Sequence, residues 1–150
     1  MAIPEGYAVA PTTTDHMVKI AVPVPGRENP ILIEAPKLAW IPPHEVDAYQ
    51  DWMKPFIEAE AEVIQWHTDN DDLEESKRSE FPKSAEDLVA GLTIRETKVR
   101  WLKPYLTAVD YKLLATSKKI PEKTIDWVVD QLKASSDDVT PGEYSASADS

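Results

Sequence analysis

The 150-residue chain contains no cysteine, only four glycines, three histidines and two phenylalanines, and no long hydrophobic run. Without cysteine there can be neither a disulfide nor a thiolate metal site, and nothing points to an oxidising compartment. Four unclustered glycines leave no glycine-rich phosphate cradle. The histidines are scattered: His16 near the N-terminus, His44 and His67 23 residues apart with no evident third ligand. A neutral imidazole ligand normally comes with others at helical or loop spacing, so each histidine reads as structural. No apolar stretch approaches the roughly 20 residues needed to span a bilayer. Met1-Ala2-Ile3-Pro4-Glu5-Gly6 lacks the basic start and apolar middle of a signal peptide. The expectation is a soluble cytoplasmic protein that makes no use of a membrane.

What is present is proline, tryptophan and negative charge. The chain has 13 Pro, five Trp, a hydrophobic fraction of 42% and a net charge of −11. That length suits one domain with room for flexible ends. The charge opposes binding to phosphate backbones, so nucleic acid is not an expected partner. Its distribution is uneven. Residues 41–80 hold 3 basic and 12 acidic side chains, whereas residues 81–133 hold 10 basic and 7 acidic. Such halves either pack head to tail with further copies of the chain or are simply solvated faces.

Along the chain, residues 1–16 carry Pro4, Gly6, Pro11 and three successive threonines without periodicity, and read as a flexible arm. Residues 17–136 read as a single domain of one hairpin plus helices, and 137–150 as a disordered tail. In the domain, Val18, Ile20, Val22 and Val24 alternate with Lys19, Ala21 and Pro23, the period of a strand with one apolar face. Pro25-Gly26-Arg27-Glu28-Asn29-Pro30 supplies a turn, and Ile31-Leu32-Ile33 begins the return strand. Pro23 cannot donate to a ladder, which places the first strand at an edge or ends it nearby. An isolated hairpin is marginal in water, so this one either lies on the chain's own helices or pairs with another chain.

Helical signals follow. Pro42-Pro43 suits a helix start, with Glu45 and Asp47 near its positive end. Val46, Tyr49 and Met53 share a face. Pro55 predicts a break or kink near Lys54, with a second segment carrying Phe56, Ile57, Val63 and Ile64 inward and Trp52 and Trp66 on the flanks. Residues 69–75 open a polar loop reaching about Lys83, and Ser84 with Glu86 and Asp87 starts a short helix that Gly91 closes. Thr93-Ile94-Arg95-Glu96 is a capping box before an apolar face of Ile94, Trp101, Leu102 and Tyr105, ended by Pro104. Thr107 with Asp110 marks another start, carrying Val109 and Leu113 inward. The last helix begins near Pro121, and its Ile125, Val128, Val129 and Leu132 form the clearest stripe in the sequence. The predicted fold is α+β, mainly α: an N-terminal β-hairpin followed by four to six short helices.

Chemistry is harder to find. Asp69 and Asp71 alternate like calcium ligands, but Leu73 stands where the third oxygen belongs and no glycine is placed for the sharp turn. Glu58 and Glu62 are four apart on an exposed face, which suits a repelling surface pair better than an acid/base dyad. Ser, His and Asp all occur, but not at nucleophile-elbow spacing. No catalytic residue, cofactor site or metal site is predicted. Trp127 falls off the stripe of the last helix, so it is expected to be partly exposed, and either meets a partner or packs on a neighbouring helix. Val18, Ile20 and Val22 of the hairpin join Trp127 as candidates for partner contact or self-association.

Two stretches carry a family resemblance. One runs from Val22-Pro23-Val24-Pro25-Gly26-Arg27 through Pro36-Lys37-Leu38 to Ile41-Pro42-Pro43. The other runs from Asp110-Tyr111-Lys112-Leu113-Leu114 through Trp127 to Gly142-Glu143 and its Ser/Ala ending. They resemble the tail assembly chaperones of long-tailed actinobacterial phages, in the short form. Tyr144 is a departure, since the family usually has Ser there. The resemblance implies a protein of the host cytoplasm that coats and solubilises the tape measure protein and recruits major tail protein for tube polymerisation. It implies a longer form of the same chain, made by a programmed ribosomal frameshift, with Gly142 and Glu143 at the position of the slip. Homo-oligomerisation is expected as well. Two other classes stay open from the residues: a structural head–tail connector or tail terminator, and an acidic inhibitor that mimics nucleic acid. The basic excess in residues 81–133 argues against the inhibitor.

Overall fold

The computed structural model describes residues 2–133, and the expected disordered tail, including Gly142 and Glu143, lies outside them. The protein is an α+β fold, mainly helical, with a two-stranded N-terminal hairpin and five α-helices. The described residues fall into two compact units, one of residues 2–42 with 102–133, the other Pro43–Trp101.

In the first unit, β1 (Met17–Val22) pairs antiparallel with β2 (Ile31–Pro36), Ile20 opposite Ile33 and Val22 opposite Ile31. Alternation does what the sequence requires. Ile20, Val22, Val24, Ile31, Ile33 and Ala35 are buried, while Lys19, Ala21, Leu32 and Glu34 face outward. The connecting turn places Gly26 at φ +84°, a left-handed conformation that glycine adopts without steric cost. β1 packs on α5 (Glu122–Lys133), so the hairpin is covered by the chain's own helix. Ile125, Val128 and Leu132 of α5 are almost completely buried.

The N-terminal residues contain one short element. Residues 2–12 are exposed and hold no helix or strand, but Thr13–His16 form a 3-10 turn. The Thr13 hydroxyl donates to the Trp40 carbonyl at 2.8 Å, and the His16 ring stacks on Trp40 at 3.8 Å. The ring contact gives His16 its structural role.

α4 (Ala108–Thr116) begins as predicted, with the Thr107 hydroxyl accepting from the Asp110 amide at 3.1 Å. Its inward face is not the expected one. Tyr111, Leu114 and Ala115 are buried and Leu113 is half-buried, whereas Val109 is exposed. Burial of Tyr111, Leu114 and Ala115 sets the helix rotation and leaves Val109 on the opposite side, and Asp110 beside it pairs with Arg27 at 2.9 Å.

In the second unit, α1 (Pro43–Asn70) runs 28 residues, about 42 Å at 1.5 Å per residue, without the break expected at Pro55. Pro55 lies on the exposed side. The bond it cannot make would have gone to the carbonyl of Asp51, also exposed, where water can satisfy it. The expected pair of short segments is therefore one long helix. Its inward seam is Tyr49, Trp52, Phe56, Ala59, Val63, Trp66 and Asn70, alternately three and four apart. The two tryptophans lie in that seam, and Ile57 and Ile64, expected inward, are exposed because the aromatic residues occupy the covered face.

α2 (Lys83–Ala90) packs on α1 and ends at Gly91. α3 (Ile94–Val99) starts at the predicted cap, Thr93 accepting from the Glu96 amide at 3.1 Å. It then tightens into a 3-10 segment, Arg100–Tyr105, that contains Pro104. Of the expected apolar face, Trp101 and Tyr105 are half-buried, and only its first residue is uncovered. Ile94 is 76% exposed, whereas Leu102 is buried.

Candidate interaction surfaces

The only buried polar side chain among the described residues is Asn70 at the end of α1, and it is structural. Its amide nitrogen donates to the Trp66 carbonyl at 2.8 Å. Its side-chain oxygen accepts from the Ser79 backbone at 2.8 Å and from the Ser79 hydroxyl at 3.2 Å. The Trp66 indole donates to the Ser79 carbonyl at 3.2 Å, and Phe81 packs edge-on to that indole at 5.0 Å. Arg78 donates to the carbonyls of Leu73 and Asp71. The polar loop is thus tied back onto α1 by groups within it. Asp71, considered above as an oxygen ligand, is bonded to His67 at 2.9 Å. His44 lies 3.8 Å from Glu45 at the exposed start of α1. Among the described residues no cluster of three or more His, Cys, Asp or Glu could hold a metal ion.

A second aromatic group fastens the other end of α1. Tyr49 stacks on Trp101 at 3.8 Å with the rings 2° from parallel, and Trp52 meets Tyr49 and Phe56 edge-on. The Arg100 guanidinium lies 4.7 Å over the Trp52 ring. The Tyr49 hydroxyl donates to the Thr97 carbonyl at 2.7 Å, and burial holds its pKa above the usual phenol value. Neither group of residues offers a nucleophile beside a base.

What the molecule does present is apolar side chains at its surface. Trp127 on α5 is 50% exposed, on the side of the helix away from Ile125, Val128 and Leu132, as its offset from the stripe predicts. The hairpin candidates fare differently. Ile20 and Val22 are buried and Val18 half-buried, because their alternation aims them at the core. Half-buried Val18, outward Lys19 and Ala21 and the backbone of the strand form the accessible part of β1. An open groove of about 680 Å³ lies beside the hairpin turn, lined by Pro23, Pro25, Pro30, Pro121, Arg27 and Thr124 among others. Gly26 forms part of its wall.

One surface escaped the sequence reading. Ile57, Ala61 and Ile64 follow one another at four and three residues along α1, all exposed, on the side opposite Ala59, Val63 and Trp66. The signal was available in their spacing, but the expected break at Pro55 assigned both isoleucines to the core. Among the described residues no helix is long and apolar enough to cross a membrane. Comparison of the chain with protein families, with characterised proteins and with solved structures finds no match.

Proposed function

We propose that this chain is a non-catalytic tail assembly chaperone of a long-tailed actinobacterial phage, acting in the host cytoplasm. It binds and solubilises the helical tape measure protein and helps recruit major tail protein around it. A longer form of the chain, made by frameshifting at Gly142-Glu143, works beside it. The sequence resemblance suggests this role, and the observation that carries it is Trp127. A half-exposed indole on the outward face of an amphipathic helix adds little to the fold, yet tryptophan is among the residues that most often dominate interfaces. Exposed Leu32, Val109 and Ile57 supply further weak contacts, which repeat along a long client and add through effective concentration.

The test is co-expression with the tape measure protein encoded downstream. Trp127→Ala should weaken client binding by about 2 kcal/mol, roughly thirtyfold, because truncating a central interface aromatic costs that much. Lys133→Ala should cost about 0–1 kcal/mol, the worth of an exposed charge. A client equally soluble with and without this chain would overturn the reading in favour of a structural tail component.

A further inference from the structure

We propose that the outward ridge of α1, Ile57–Ala61–Ile64, is a docking seam for a basic amphipathic α-helix of a partner protein. The spacing of four and three residues is that of one coiled-coil heptad, which another helix matches with knobs of the same period. Ala61 between the two isoleucines leaves a shallow saddle, so a second helix axis can come close. The whole stretch 57–58, 60–62 and 64–65 is exposed, and Ile57 and Ile64 keep 58% and 59% of their surface. Two isoleucines at this spacing are not needed by the core, whose seam lies on the other side of the helix.

Charge selects the occupant. Glu60 stands on one shoulder of the ridge, Lys54 and Glu58 on the other one turn apart, and Asp51 and Glu62 lie further round, so that four carboxylates face one base between residues 51 and 64. A second copy of α1 laid along the ridge would bring these carboxylates against their equivalents, which repels. A helix with Lys or Arg beside its apolar stripe pairs with them instead. The seam is short, so a single contact is weak and gains strength only where the partner offers it many times. The inference deepens the client-binding reading by stating the chemistry of the helix the client would present.

The experiment uses the full chain and two designed peptides of about three turns or more. Both carry Leu at alternating spacings of three and four; one has Lys and Arg at the flanking positions, the other Glu. The basic peptide should bind about tenfold or more tightly than the acidic one, and more weakly at high salt. Ile57→Ser/Ile64→Ser should reduce that affinity about tenfold or more. Glu58→Lys/Glu60→Lys should reverse the preference between the peptides. These residues are exposed, so thermal unfolding of each variant should match the parent and report an intact fold. Equal binding of both peptides, no binding of the basic one, or binding that ignores both double variants would each overturn the proposal. The co-expression assay separates it from the functional reading. A client solubilised by the parent and equally by Ile57→Ser/Ile64→Ser removes the ridge and keeps the chaperone, whereas peptide binding without client solubilisation does the reverse.

Discussion

Replacing Asn70 by alanine should be among the most damaging single changes in the Pro43–Trp101 unit, although the residue is polar and lies in an acidic stretch. The side chain is only 4% exposed and joins α1 to a loop residue nine positions later. Alanine removes three hydrogen bonds, but their worth is unequal. The Trp66 carbonyl lies inside α1, where the backbone amide four residues on already bonds to it, so losing the Asn70 donor there costs little. The Ser79 amide is different, because Asn70 is its acceptor in this pocket. Leaving a part-buried donor unpaired costs about 1–3 kcal/mol, and the lost Ser79 hydroxyl bond adds about 0.5–1. The sum is about 1.5–4 kcal/mol.

Urea unfolding followed by tryptophan fluorescence measures this, since Trp66, which donates to the same Ser79 residue, contributes with Trp52 and Trp101 of the same unit to the emission change. Ser79→Ala is the control. It removes the hydroxyl and keeps the backbone donor on Asn70, so it should cost less than about 1 kcal/mol. Asn70→Leu should not rescue stability, because an apolar side chain of similar size still leaves the amide unpaired. If Asn70→Ala costs no more than Ser79→Ala, the buried amide does not hold the loop and the reasoning fails.

Burial raises the Tyr49 pKa, so the folded state favours the neutral phenol. Its contribution is complete below the ordinary value near 10 and is lost as pH rises through the higher folded value. The melting-temperature gap between parent and Tyr49→Phe should therefore narrow from pH 8 to pH above 10. Leu114→Ala, at a fully buried site in α4, should cost about 2–5 kcal/mol, while Val109→Ser on the same helix should stay within about 0.5 kcal/mol in chemical denaturation. Gly26→Ala should destabilise by about 1 kcal/mol in the same assay, because its φ of +84° is strained for any residue with a Cβ, whatever room there is.

The parts legible in the sequence are those decided by residues close together along the chain. Alternation from Val18 to Val24 settles the inward face of β1, and the stripe Ile125, Val128, Leu132 settles that of α5. The caps at Thr93 and Thr107 need only the next three residues, and both are in place. Trp127 belongs here too, since its exposure follows from its angle to the stripe. Rotation set from a distance was not legible. Val109 turns outward because Tyr111, Leu114 and Ala115 take the covered face of α4, a choice settled by what packs on them and not by residues nearby in the chain. Ile94 turns outward because Val99, five residues on and nearly opposite it on α3, takes the buried face. Asn70 looked like one more polar residue in an acidic run, and only the fold of the loop to Ser79 gives it a role.

Pro55 connects these errors to the outward ridge. A proline inside a helix costs about 3 kcal/mol in isolation, through one lost hydrogen bond and a clash with the preceding turn. Local reasoning therefore ends the helix at Lys54 and begins a new one, free to turn its apolar residues inward. The fold resists that outcome because the aromatic seam crosses the proline. Tyr49 and Trp52 are engaged before it, Phe56 immediately after, and Trp66 further on by Ser79 and Phe81. Breaking the helix at Pro55 would displace one set of these rings relative to the other, and buried aromatic pairs contribute about 0.5–1.5 kcal/mol each beyond the area they cover. Several such pairs outweigh one proline whose freed carbonyl faces water. Once the helix is continuous, its phase is fixed from end to end: every residue that shares the side of Tyr49 and Trp66 is covered, and Ile57, Ala61 and Ile64 are carried to the opposite side together. The ridge is thus a consequence of the same seam that keeps α1 whole, and it stays apolar although nothing within the Pro43–Trp101 unit requires it.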